Sequence, residues 1–236
     1  MEPVNHRTRV GAERRERMRA RLVASALQVF ASKGYEASDI EDVIAAAQVS
    51  RGTFYNYFRT NEELMQAVLE EVSDELISLV DAVVLSRSDP AERVSLGVRM
   101  VFHTVRRHAL FANFVNRIGI ERTLRNSVGA RYLVRDLQEG IDQGRFTVSS
   151  VHLGFILVLG TMQAAIMALS AEPDLDPNFC EEVTYHLLLG LGVAKGAARK
   201  LVSLPLQDVA WPVESLLTRT CDLTSLVPPG LGAQGA

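Results

Sequence analysis

Three helix-start signals crowd between residues 38 and 63, and they constrain the fold more than any other feature. Ser38-Asp39-Ile40-Glu41 and Thr60-Asn61-Glu62-Glu63 have capping-box spacing, and Ser50 stands where an N-cap would open a helix at Arg51. Helices restarted this often are one to two turns long, with connections of two to six residues between them. A chain folded that way makes a compact three-helix unit whose second and third helices are separated by a tight turn at Gln48-Val49. The helix before them runs over about residues 10–32 with an apolar stripe at Met18, Leu22, Ala26 and Val29/Phe30, and Lys33-Gly34 ends it, glycine suiting a left-handed cap.

Helical periodicity continues beyond this unit, and nowhere do period-2 segments with hairpin turns follow one another, so the fold class is all-α. Asp89-Pro90-Ala91-Glu92 opens a helix to about His108, apolar segments cover about 111–120 and 127–143, Ser149/Ser150 cap a segment to Ala171, and Asp176-Pro177 opens another to about Leu191. The expected organisation is an N-terminal unit over 1–70, a larger helical bundle over 71–220 and a flexible tail over 221–236. Val151–Leu169 approaches the length of a membrane span. It contains His152 and Gln163, lacks basic anchors and stands alone, so it reads as a helix buried all round and no membrane partner is expected.

The formal net charge of −3 is unevenly spread: residues 1–61 carry ten Lys and Arg against seven Asp and Glu, and the remainder carries fifteen against twenty-one. Between Arg7 and Arg21 seven arginines face two glutamates. Such a block attracts a polyanion, and equally serves as a solvated helix face. The two cysteines, Cys180 and Cys221, are too few for a disulfide framework or a four-ligand zinc site, which favours a reducing cytosol. His103 and His108 are five apart and Cys180 and His186 six apart, so neither pair shares a helix face. No phosphate-cradling glycine loop or nucleophile elbow is present. No catalytic residue, metal or cofactor is expected.

The stretch Val49–Phe58, "VSRGTFYNYF", is rich in groups that stack and hydrogen-bond. On a helix Phe54 and Phe58 fall one turn apart and can anchor it, whereas Arg51, Gly52, Thr53, Tyr55 and Asn56 lie elsewhere, with donors and acceptors suited to base edges and phosphates in a major groove. The run "SDIEDVIAAAQVSRGTFYNYFRTNEEL", with "ASALQVFASKGY" before it, resembles the DNA-binding domain of the TetR family of bacterial transcriptional regulators across about residues 13–68.

The resemblance implies a dimer that reads a palindromic DNA operator, most often as a repressor released by a small molecule. It implies base and phosphate contacts at Arg51, Gly52, Thr53 and Tyr55, and backbone-positioning groups at Ser38, Ser50, Asn56 and Tyr57. Tyr55 and Tyr57 are also candidates for packing inside the three-helix unit. Gln48 stands where the family usually has glycine, and Asn61 where a phosphate-binding lysine is common, a contact that is then lost or passes to Arg59. More of the affinity then leans on the arginine-rich lead-in, expected to follow the DNA backbone or enter the minor groove. Phe102, Phe111, Phe114, Tyr132, Phe155 and Met162, with His103 and Gln163 as polar handles, are candidates for an apolar or aromatic effector site, each equally suited to ordinary core. Gly160, Ala164 and Ala168 clear a strip for a neighbouring helix, so a homodimer through about 150–171 and 176–191 is expected, with packing inside one subunit as the alternative. Two other functions stay open: a ligand-independent DNA-binding activator or global regulator, and a helical protein-interaction module.

Overall fold

The computed structural model describes residues 6–124, 128–172, 174–206 and 215–216. Among them are eleven α-helices and no strand. α1 (His6–Lys33), α2 (Ile40–Ala47) and α3 (Arg51–Tyr55) precede α4 (Asn61–Val84), the longest helix after α1. The bundle adds α5 (Pro90–Arg107), α6 (Ala109–Ile118), α7 (Ile120–Leu124), α8 (Val128–Asp142), α9 (Val151–Ala171), α10 (Phe179–Gly190) and α11 (Lys195–Val202). The expected tail over 221–236 lies outside the described residues.

The small unit is held by apolar side chains that the sequence places at helical spacing. Leu22, Val23, Ala26, Leu27 and Phe30 of α1 are completely buried, together with Val43 of α2, Phe54 of α3 and Leu64 of α4. Gly34 takes the left-handed conformation that ends α1, at φ +85°. α4 continues unbroken through residue 70, so the small unit and the bundle share a helix. The α6 guanidinium of Arg117 donates from Nε to the carbonyl of Ala31 in α1 at 2.9 Å, and Arg122 lies 5.3 Å over the Tyr35 ring, which docks the bundle against the end of α1.

The helix starts follow most of the expected caps, with departures at α2, α4 and α10. Asp39, not Ser38, caps α2: its Oδ1 accepts from Asp42 N at 2.9 Å and Asp42 Oδ2 accepts from Asp39 N at 3.2 Å. The Ser38 hydroxyl instead donates backwards to the Gly34 carbonyl, which removes it from the capping role. Ser50, Thr60, Asp89 and Ser150 each accept a backbone N–H two or three residues on. Glu63 does not return to Thr60, accepting from Arg59 N at 2.7 Å instead. α10 starts at Phe179, later than Asp176 suggested, because Asp176 accepts from Asn178 N in a turn before the helix.

α9 corrects the reading of a helix buried all round. Among described helices it is the one long and apolar enough by composition to span a bilayer, yet only 39% of its most apolar window is buried. One side, with Val158, Met162, Ala165 and Ile166, packs into the bundle; Leu153, Ile156 and Met167 are exposed on the other. A helix uniformly apolar in sequence carries no moment to reveal which face is covered.

Candidate nucleic-acid interface and effector cavity

α3 is a short helix built to stand its polar edge off the protein. Phe54 is fully buried and Phe58 nearly so, their ring centroids 6.1 Å apart, and Arg19 of α1 lies 5.7 Å over the Phe58 ring. With that side anchored, Arg51, Gly52, Tyr55 and Asn56 are exposed, as are Ser50 before the helix and Arg59 after it. Tyr55 meets Phe54 edge-on, ring centroids 5.5 Å apart, and is 47% exposed. Tyr57 is half-buried and packs against the core while also lining an open groove.

That groove lies between α3 and the arginine-rich stretch of α1. Thr53, Asn56 and Tyr57 form one wall, and Arg14, Arg17 and Arg21 of α1 stand on the other. The lead-in is helical from His6, and Arg14, Arg15 and Arg17 reach this groove as part of α1. The Thr53 hydroxyl pairs with Ser50 Oγ at 2.8 Å. Gln48 makes the turn between α2 and α3 in the left-handed region, φ 52° and ψ 48°, and its N–H and that of Val49 return to Ala45 and Ile44 carbonyls. A glutamine there costs on the order of 1 kcal/mol relative to glycine. Asn61 also finds a local role: its amide nitrogen donates to the Ser38 carbonyl at 3.1 Å, tying the start of α4 to the segment before α2.

Arg51 is held, though loosely. Its guanidinium meets Glu41 of α2 at 2.5 Å, with the two side chains 67% and 55% exposed. An ion pair in water of that kind is worth about 0–1 kcal/mol, so it orients the arginine and yields readily to a stronger partner.

The bundle contains a second candidate site, a cavity of about 120 Å³. α4 supplies Leu76, Val80 and Val84 to its wall; α5 adds Val94, Gly97, Val98 and Val101; α8 adds Tyr132 and Leu133; α9 adds Val158 and Met162. Of the eight residues singled out in the sequence, Tyr132 and Met162 line it. Phe102, Phe111 and Phe114 are completely buried elsewhere in the core. Phe155 is half-buried at the bundle's edge, His103 lies 2.9 Å from Glu181 on the α10 side, and Gln163 accepts from Ile120 N at 2.7 Å, holding the start of α7.

Two charged residues at the cavity wall were missed. Arg93 and Asp136 are both buried and paired at 2.8 Å, and Arg93 also reaches Glu139 and the carbonyls of Arg87 and Ser88. Burial alone would lower the Arg93 pKa, but Glu139 and Asp136 hold it above its ordinary value. Nearby, burial would raise the Asp89 carboxyl, and the Arg145 guanidinium with the Ala91 N–H more than reverses that. The sequence did carry a signal: Asp136 shares a helical stripe with Tyr132, Leu133 and Leu137, where an apolar residue would be routine. Among the described residues no cluster of three His, Cys, Asp or Glu side chains is arranged to hold a metal ion.

Comparison with known proteins decides the family. The family model described as bacterial regulatory proteins, tetR family, matches residues 22–68, and that described as tetracyclin repressor-like, C-terminal domain, matches residues 89–204. The solved structure of RolR without ligand is 30% identical, with a TM-score of 0.62 over 81% of this chain and 100% of that one. The chain belongs to the TetR family. It is therefore a helix-turn-helix transcriptional regulator, with the reading head over α1–α3 and the start of α4 and a family-type bundle behind it.

RolR has also been solved in complex with resorcinol, at 29% identity, a TM-score of 0.59 and 84% of this chain matched. Among curated TetR-type relatives, the transcriptional repressor DhaR of Mycobacterium sp. (strain GP1) is 36% identical over 76 residues, 32% of this chain. The transcriptional activator FasR of Mycolicibacterium smegmatis is 31% identical over 88 residues, 37% of this chain. The chain spans 38% of DhaR's length and 40% of FasR's.

Proposed function

We propose that this TetR-family regulator acts as a homodimeric repressor that grips a two-fold DNA site with its α3 helices and lets go when a small apolar or aromatic molecule fills the bundle cavity. The observation that carries the reading is α4: Asn61 at its start is tied to the reading head through Ser38, while Leu76, Val80 and Val84 further along it form part of the cavity wall. A molecule that separates α4 from α5, α8 or α9 bears on the helix that carries the reading head. It shifts the population between two states by its differential affinity for them.

In the reading head, Arg51, Thr53 and Tyr55 supply base and phosphate contacts, with Gly52 allowing close approach; Ser50, Asn56 and Arg59 meet the backbone, as do the α1 arginines across the groove. Ser38 and Tyr57 act from behind, by fixing the segment before α2 and by closing the groove wall. The two-fold arrangement is supported by α9: Leu153, Ile156 and Met167 are exposed, Gly160 and Ala164 lie exposed between them, and a Cβ added at Gly160 meets nothing within 4 Å. Pairing that strip across a two-fold axis, with α10 beside it, covers an apolar face that one subunit leaves in water. RolR's resorcinol complex supports an effector of one aromatic ring.

The test couples selection of duplexes from a random pool with sedimentation of the free protein. The expected result is an inverted repeat whose half-sites lie about one helical turn apart, bound by two chains. Enrichment of no sequence, or a monomer on DNA, overturns the reading.

A further inference from the structure

We propose that Asp136 selects the effector: the cavity takes a single-ring apolar molecule carrying an uncharged hydrogen-bond donor, a phenol rather than a hydrocarbon or a carboxylic acid, and the donor is received by Asp136 Oδ2. The inference rests on the reading of the cavity as the effector site and adds the chemistry of what it admits.

The bonding around Asp136 is lopsided. Arg93 Nε donates to Oδ1 at 2.8 Å, and Arg135 donates to the same oxygen from Nε at 2.9 Å and from Nη2 at 2.8 Å. Three donors converge on one oxygen and none reaches the other, although Asp136 is only 3% exposed and stands at the cavity wall. A carboxylate oxygen with spare lone pairs, on a buried residue at a cavity wall, is a strong acceptor for a donor that enters the cavity. Arg93, the other charged wall residue, is in the opposite condition. Nε serves Asp136, Nη1 serves the carbonyls of Arg87 and Ser88 at 3.1 Å each, and Nη2 serves Glu139, so four of the five guanidinium hydrogens are committed. What the wall offers a ligand is therefore an acceptor. An anion meets the unshared side of a carboxylate and finds few donors to compensate.

Size narrows the class. The cavity of about 120 Å³ is close to the volume, about 150 Å³, of an engineered apolar cavity that admits benzene. One six-membered ring fits with a slight outward movement of the wall, and a long acyl chain does not. Apart from the Tyr132 hydroxyl, the remainder of the wall, including Val94, Val98, Val158 and Met162, is apolar and suits the ring faces.

A ligand series on the unaltered full-length protein tests this by calorimetry and thermal shift, with phenol, aniline, toluene, anisole, benzoate and dodecanol. Partition into a purely apolar cavity ranks toluene above phenol. The proposal requires the reverse, phenol tighter than toluene and anisole by about ten-fold or more, aniline on phenol's side, and benzoate and dodecanol weakest. D136N should erase the preference for phenol while toluene still binds. Should that variant not fold, the wild-type ranking alone decides. Gly97→Ala adds a methyl to the wall, where its nearest neighbour is Val80 Cγ1 at 3.8 Å, and should weaken every one-ring compound. Equal binding of phenol and toluene, both weakened by Gly97→Ala, removes the role of Asp136 and leaves the cavity as the effector site. One-ring binding that Gly97→Ala does not touch, or no binding at all, overturns both, and dodecanol binding above phenol overturns the size argument.

Discussion

The reading head and the bundle handle charge in opposite ways. In the head the charged groups are on the outside: Arg51 and Glu41 pair while more than half exposed, and Arg14, Arg17 and Arg21 of α1 face an open groove. In the bundle Arg93 and Asp136 are paired with side chains 8% and 4% exposed, and Arg135 and Glu139 close the network so that its formal charges cancel. An exposed pair contributes little and exchanges partners readily, which suits the proposed role of Arg51 as a DNA contact. A buried pair costs desolvation that its hydrogen bonds must offset, and here Arg93 and Arg135 together hold Asp136 in one arrangement. The head is therefore adapted to reversible contact and the bundle to a defined pocket, and substitutions in the two regions should fail differently.

The largest effects test the two cores. Phe54→Ala removes the anchor that stands α3 off α1 and should cost about 3–5 kcal/mol of stability, read as a lower urea midpoint together with loss of DNA binding. Unchanged stability would mean that the exposed edge of α3 does not depend on this packing. Arg93→Met should cost about as much, because Asp136 and Glu139 lose a buried partner, and Arg93→Met with Asp136→Leu should recover most of the loss by replacing the pair with apolar groups. If the single substitution is as mild as one at an exposed pair, the contrast between the regions disappears.

This contrast also governed what the sequence could reveal. The head was legible because its parts are neighbours in the chain: the caps at Ser50 and Thr60, the left-handed positions at Gln48 and Gly34 and the Phe54/Phe58 anchor all fall within residues 34–60. The capping error at Ser38 arose where two adjacent residues could both accept, and the Gly34 carbonyl took the serine; the other, at Glu63, arose because its carboxylate accepts from Arg59 N and not from Thr60 N. The cavity was not legible because it is assembled from four helices spread over Leu76 to Met162. Aromatic residues looked like pocket material, yet Phe102, Phe111 and Phe114 close the core where no space remains, and the open volume is lined mostly by valine and leucine. Asp136 and Arg93 mark the wall through a contact across 43 positions: the stripe of α8 flags Asp136 as out of place, but no local pattern names Arg93 as its partner.

At the surface the expected effects are smaller and fall on binding instead of folding. Arg51→Ala should leave the urea midpoint nearly unchanged, since the exposed pair with Glu41 contributes little, and should weaken DNA binding by about 1–3 kcal/mol with relaxed preference at one base pair of each half-site. Equal weakening on all sequences would make Arg51 a phosphate contact. The salt dependence then separates the cases, because loss of one phosphate contact lowers the slope of log K against log salt by about 0.9.

The smallest effect concerns the joint between the two helices of the reading unit. Gln48 is exposed and has the described chain's sole positive φ outside glycine, so its side chain contributes little packing while its backbone carries strain. Gln48→Gly removes a Cβ from the left-handed region, a gain on the order of 1 kcal/mol, and adds unfolded-state entropy that takes back about 0.4–1 kcal/mol. The net expectation is a stability change between zero and about +0.6 kcal/mol at unchanged urea m-value, with DNA affinity preserved because the N–H groups of residues 48 and 49 still return to Ala45 and Ile44. A clear loss of stability would show that the glutamine side chain itself supports the turn, and the head would then share the bundle's reliance on polar side chains to fix its geometry.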